Sequence, residues 1–184
     1  MKYPFAFLFV ATSLFCSVTV LAQEPYVGIS IATPGEGSWQ YAPGKLIADN
    51  EHKLSKKLYG GWNFTNQFSL EAGYLSSGYH FQSPEKNTTF ADLNVKMLYS
   101  AGKVTMPLGN AWNVFGKLGV AQIHSAFSAQ NGNTNSSRAV RPLLGFGLDF
   151  KMTQHLDLTL EFERDGKINH VPQQKLEAGL KWRF

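Results

Sequence analysis

From about residue 24 to the last residue, apolar and polar side chains alternate with a period of two. That period belongs to strands with unlike faces, and it leaves little room for helices. Residues 26–32 put Val27, Ile29 and Ile31 on one face and Gly28, Ser30 and Ala32 on the other. Residues 54–64 set Leu58, Gly60, Trp62 and Phe64 against Lys57, Tyr59, Gly61 and Asn63. A third strand from Phe68 sets Leu70, Ala72 and Tyr74 against Ser69, Glu71 and Gly73. A fourth lies within 90–106. The fifth sets Trp112, Val114, Gly116, Leu118 and Val120 against Asn113, Phe115, Lys117, Gly119 and Ala121. The sixth sets Leu144, Phe146, Leu148 and Phe150 against Gly145, Gly147 and Asp149. The seventh sets Leu156, Leu158, Leu160 and Phe162 against Asp157, Thr159, Glu161 and Glu163. The eighth sets Leu176, Ala178, Leu180, Trp182 and Phe184 against Glu177, Gly179, Lys181 and Arg183.

Eight strands alternate between short turns, around Asn66, Gly109 and Thr153, and longer polar connections at 34–53, 78–89, 129–138 and 165–174. A soluble sandwich would bury the apolar face, whereas an outer-membrane barrel would turn it to lipid. Periodicity alone leaves both open. Three features favour the barrel. Trp62, Phe68, Tyr74, Trp112, Phe150 and Phe162 fit interfacial girdles. Seven polar-face positions are glycine, at 28, 61, 73, 119, 145, 147 and 179, as a crowded narrow lumen would require. Strands of about ten residues also suffice to cross a bilayer when tilted, and eight is a common number for closing a small barrel. The fold expected is all-β: an eight-stranded antiparallel up-and-down transmembrane barrel over residues 23–184.

Residues 1–22 read as a cleaved signal peptide, with Lys2 ahead of an apolar run and small residues before Gln23. The single cysteine, Cys16, falls inside that run, so no disulfide is expected. The net charge of +4 falls to +3 without Lys2, and the charges are scattered. They form no basic, aromatic-interleaved patch of the kind nucleic-acid binding needs. His52, His80, His124, His155 and His170 stand apart, so neither a metal site nor another cofactor is expected. His124 and Ser125 are adjacent and point to opposite faces, which rules them out as a nucleophile–base pair. The expected protein is therefore not an enzyme.

The stretches FSLEAGYLSSG (68–78), SAGKVTMPLGNAWNVFGKLGVA (100–121) and GFGLDFKMTQHLDLTLEFER (145–164), with the final GLKWRF, resemble the transmembrane domain of outer membrane protein A. No counterpart of the family's peptidoglycan-binding domain is expected. The resemblance implies an outer-membrane location and a monomer among outer membrane lipids and lipopolysaccharide. It also implies a C-terminal signal, Leu180, Trp182 and Phe184, read by the outer-membrane assembly machinery. Lumen ion pairs are implied at Glu71, Lys103, Lys117, Asp149 and Glu161, with Thr159 where the family has an interior arginine, so that its charge-switching gate is absent or rebuilt. Alternation adds Lys181 and Arg183 to the lumen.

In the fourth strand, alternation turns Leu93, Val95, Met97, Tyr99 and Ala101 to lipid and Asn94, Lys96 and Ser100 to the lumen. That phase sends Lys103 outward, so either a bulge near 100–102 resets it or Lys103 sits at the headgroups, with Lys96 as the competing inward cation. The function expected is envelope integrity, surface interaction with a host or phage ligand, or both, around a largely plugged lumen. A low-conductance porin and a lipid A-modifying enzyme are the alternatives. The protein should fractionate with the outer membrane and migrate faster on gels when unheated; a soluble periplasmic protein without a mobility shift would restore the sandwich.

Overall fold

The computed structural model describes residues 24–33, 38–42, 45–48, 51–52, 54–82, 89–129, 134–168 and 171–184. Strand β1 (Glu24–Ala32) opens the chain's sheet. Three short strands, β2 (Ser38–Ala42), β3 (Lys45–Ala48) and β4 (Glu51–His52), lie within the first long connection. The remaining strands are β5 (Ser55–Asn63), β6 (Phe68–Gln82), β7 (Thr89–Pro107), β8 (Trp112–Ala129), β9 (Thr134–Lys151), β10 (Leu156–Ile168) and β11 (Val171–Arg183). β1 and β5 to β11 pair with their chain neighbours throughout, and β11 returns to β1, so eight antiparallel strands close on themselves. The expected signal segment and the side chains of the first long connection, Trp39 and Tyr41 included, lie outside the described residues.

The seam runs from Tyr26 opposite Arg183 to Ala32 opposite Glu177. It extends to the last residue, whose backbone N–H donates to the Pro25 carbonyl at 3.2 Å. Closure leaves the barrel wall of β1 and β5 to β11 without a free edge, which a sheet in hydrocarbon requires.

Two of the short turns share a mechanism. Thr65 Oγ1 accepts from the N–H of Gln67 and Phe68, and Thr153 Oγ1 accepts from His155 and Leu156. A threonine side chain standing in for a backbone partner suits a tight reversal. The third turn uses Gly109, at φ 124°, where a side chain would be strained. At the opposite end the strands outrun the sequence expectation. The β7–β8 ladder continues to Ala91 opposite Ala129, past the last clear apolar–polar alternation. Backbone pairing carries on there without the membrane's demand for an apolar face.

Burial is inverted relative to a soluble protein. Val27, Ile29, Leu58, Leu70, Leu118, Phe146 and Leu160 are exposed on the outside, while lysines and carboxylates are buried within. The inward glycines do make room, and for specific rings. Gly28 faces Tyr59, Gly61 faces Tyr26, Gly73 faces Tyr99 and Gly147 faces Phe115, each pair directly opposite across the ladder. A Cβ at any of the four would meet that ring. An aromatic lying over a cross-strand glycine covers the bare backbone and pins the register.

The phase of β7 differs from the expectation. Met97, Tyr99, Ala101 and Lys103 point inward; Asn94, Lys96, Leu98 and Ser100 point outward. Register decides it: Glu71 pairs with Ala101 and Gly73 with Tyr99, so inward residues of β6 bring their partners inward. No bulge interrupts this stretch, because the only shift in the β6–β7 ladder lies at Phe81/Gln82. Met97 joins Leu75, Ile123 and Leu143 in an apolar layer inside the barrel, toward the long connections. Apolar side chains inside a membrane barrel defeat a rule that sends them all to lipid.

Replacing Gly73 by valine should drive a branched side chain into the Tyr99 ring and lower stability by about 1–3 kcal/mol. Gly102→Ala, on the open outer face, should be nearly neutral. Urea unfolding of the refolded protein in detergent measures both.

Candidate functional site

The inner wall carries two groups of charge. Near the short turns, Asp149 accepts from Lys181 Nζ at 2.6 Å and from Thr159 Oγ1 at 2.7 Å, with Lys103 Nζ at 3.4 Å. Asp157 accepts from Lys181 at 3.1 Å and from Arg183 Nη2 at 3.0 Å. The Lys103 ammonium also sits 3.6 Å from the centre of the Phe115 ring, a cation–π contact inside a desolvated space.

Nearer the long connections, Lys57 Nζ reaches Glu177 at 2.8 Å, Glu163 at 2.9 Å and Glu161 at 3.4 Å. Lys117 Nζ reaches Glu161 at 2.6 Å, Glu163 at 2.7 Å and Glu71 at 3.3 Å. Glu71 additionally accepts from Tyr99 at 2.8 Å and Tyr26 at 3.0 Å, and Ser30 donates to Glu177 at 3.1 Å. Lys175 lies 3.9 Å from Glu163. The tyrosines link the groups, since Tyr26 meets Tyr59 edge-to-face and lies near both Lys103 and Lys181.

Two register facts explain why distant strands must meet. Glu161 stands directly opposite Glu177, and Lys103 directly opposite Lys117. Like charges in these positions repel. Lys57, reaching across the lumen from β5, bridges the two glutamates, while Lys103 and Lys117 separate to different acids. Among the described residues the ion-pair network on the inner wall joins six acids (Glu71, Asp149, Asp157, Glu161, Glu163, Glu177) and six bases (Lys57, Lys103, Lys117, Lys175, Lys181, Arg183). The balance matters because an unpaired charge in this setting is costly.

Glu71, Lys103, Lys117, Asp149, Glu161, Lys181 and Arg183 lie in these two groups on the inner wall. Lys96 does not: it lies outside the barrel, because β7 takes the opposite phase. Lys57, Asp157, Glu163, Lys175, Glu177, Tyr26 and Tyr99 join them in the network. Alternation offered a signal for most of them, since Asp157 and Glu163 share a face with Glu161. It could not show that Tyr99 turns inward. The oxygens of Glu161, Glu163 and Glu177 lie within 4.8 Å of one another, close enough to hold a cation. The Lys57 ammonium already serves as that cation.

The expected anchors all face outward. Trp62, Phe68, Trp112, Phe150, Trp182 and Phe184 gather toward the short turns, where Trp112 packs on Phe150 at 4.7 Å. His155 stacks on Trp182 at 5.7 Å, which separates it from the lumen carboxylate of Asp157. Tyr74 and Phe162 precede the first polar outward residues, Ser76 and Arg164, and mark the opposite edge of the apolar band.

A closed eight-stranded barrel, apolar outside and charge-paired within, defines an integral outer membrane protein. The chain belongs to the OmpA-like transmembrane domain family, whose model matches residues 23–181. Among solved structures, the attachment invasion locus protein Ail of Yersinia pestis is similar with a TM-score of 0.65 at 16% identity, covering 89% of this chain and 100% of that one. Neisserial surface protein A is similar at 0.66 and 14% identity, covering 87% and 97%. OprG of Pseudomonas aeruginosa is similar at 0.62 and 13% identity, covering 89% and 96%. A Coxiella burnetii protein described as uncharacterized is 25% identical, over 77% of this chain and 75% of its own length.

Removing the Lys57 ammonium should leave three buried glutamates under-compensated. Lys57→Met is expected to cost about 3–5 kcal/mol. Adding Glu177→Gln to it should recover part of that loss, and the non-additivity in urea titrations is the check.

Proposed function

We propose that the protein is a non-enzymatic structural barrel of the outer membrane, contributing to envelope integrity and carrying polar connections on the cell surface, with a lumen that does not conduct appreciably. The observation that carries this reading is the balanced ion-pair network across the lumen, backed by the apolar layer of Leu75, Met97, Ile123 and Leu143. Paired charges leave no net field to attract a permeant ion, and an apolar layer resists wetting. Against an enzymatic role stands the separation of candidate groups: His124 pairs laterally with Lys96 and Arg138, while Ser125 Oγ lies 3.5 Å from the Ser137 carbonyl.

In the same reading, residues 1–22 are a signal peptide removed on export. Leu180, Trp182 and Phe184, outward-facing at the seam, are recognised during assembly. The long connections are the part available to a host or phage ligand.

Refolded protein in planar bilayers should give no steady large openings at neutral pH. Sustained openings would establish the porin alternative, and a lost or gained acyl chain on lipid A in a deletion strain would establish the enzymatic one.

A further inference from the structure

On five consecutive strands, cross-strand partners form one continuous outward row: Lys56, Ser76, Lys96, His124 and Arg138. Counted from the short turns, Lys56, Lys96, His124 and Arg138 are the first basic outward residues on β5, β7, β8 and β9, and Ser76 follows Tyr74 on β6. No carboxylate lies on the row. The apolar band is thus asymmetric: most of its edge aromatics gather at the short turns, whereas at the long-connection edge Tyr74 and Phe162 give way to a row rich in cations. In barrels of this class the long connections face the cell exterior. The cations therefore meet the headgroups of the outer leaflet.

Beside one part of this row the outer surface is hollow. A cleft of about 540 Å³ is walled by Ile29, Leu58, Tyr74 and Leu180, is deepened by the small Ala178, and has Lys56 and Ser76 among its lining residues. Ala178, Ile31, Lys56 and Ser76 are successive partners across four strands. Strands in a closed barrel are tilted, so such a line runs obliquely through the membrane. It descends from the cations toward the bilayer interior at Ala178. Lys56 and Lys96 flank Ser76, one strand away on either side, about 5 Å per strand. Lys56 and Ser76 thus line the upper end of an apolar groove, and Lys96 stands beside Ser76 on the next strand.

We propose that this is a seat for one phosphorylated lipid of the outer leaflet: an acyl chain fills the cleft, and its phosphate is held by Lys56, Ser76 and Lys96. Charge complementarity selects the occupant, since an ammonium pair with a hydroxyl between them suits a phosphate. The lumen contributes nothing to it, so this inference stands whether or not the barrel conducts.

Native mass spectrometry of the folded protein with diphosphoryl lipid A, and with the same lipid stripped of its phosphates, tests the seat. The diphosphoryl form should be retained preferentially. K56Q/K96Q should reduce its retention at least about tenfold, for the loss of two charge-assisted bonds. A178L, which fills the cleft, should reduce retention of both lipids. R164Q removes an outward cation on β10, away from the row, and should change nothing. Heat-dependent gel migration confirms that each variant is folded; should A178L misfold, A178V takes its place. Equal retention of the two lipids, unchanged retention by K56Q/K96Q, or an equal loss in R164Q would overturn the proposal.

Discussion

A sheet in hydrocarbon cannot have an edge, and everything else in this protein follows from meeting that condition. At the β1–β11 seam the pairing runs on to Phe184, whose N–H donates to the Pro25 carbonyl and whose ring faces outward. Closure with eight strands also makes the interior narrow. Narrowness in turn makes glycine useful at inward positions, where four rings lie over four bare backbones.

The narrow interior has to be filled by the face that does not touch lipid, and that face is charged. Each lysine and carboxylate is stripped of water and needs a counterpart. Nearest neighbours do not always supply one, as Glu161 opposite Glu177 illustrates. The solution skips the nearest neighbour: Lys57 reaches Glu177, far from it in sequence, and Lys117 on β8 reaches past β9 to Glu163 on β10. Such pairs are costly to break singly, and they tie the staves together through the lumen as the ladders do around the wall. Outside, the same strands meet two different boundaries, one rich in aromatics and the other, beyond Tyr74 and Phe162, rich in cations.

Much of this was legible in the chain because period-two alternation is a local property. The outward faces of β1, β5, β6 and β8 to β11 read directly, as did most of the lumen charges. The expectation failed at β7, where Met97, Tyr99 and Ala101 looked like lipid contacts and Lys96 like a lumen cation. Local polarity was ambiguous there, because the barrel interior contains an apolar layer as well as a charged one. The polar strand extensions beyond the membrane were missed for a related reason: in water neither face must be apolar, and the signal fades while the backbone pairing continues.

By itself, then, the amino-acid sequence determined the number of strands, their order, the trimmed and decorated ends, and the choice of lipid over water for the apolar face. Only the tertiary structure decided the phase of β7, the partners of each buried charge, and the placing of Lys56, Ser76 and Lys96 on one line. Alternation is written along a strand. Register is written between strands, and it is fixed only when Glu71 meets Ala101 across the ladder and Tyr99 turns in over Gly73.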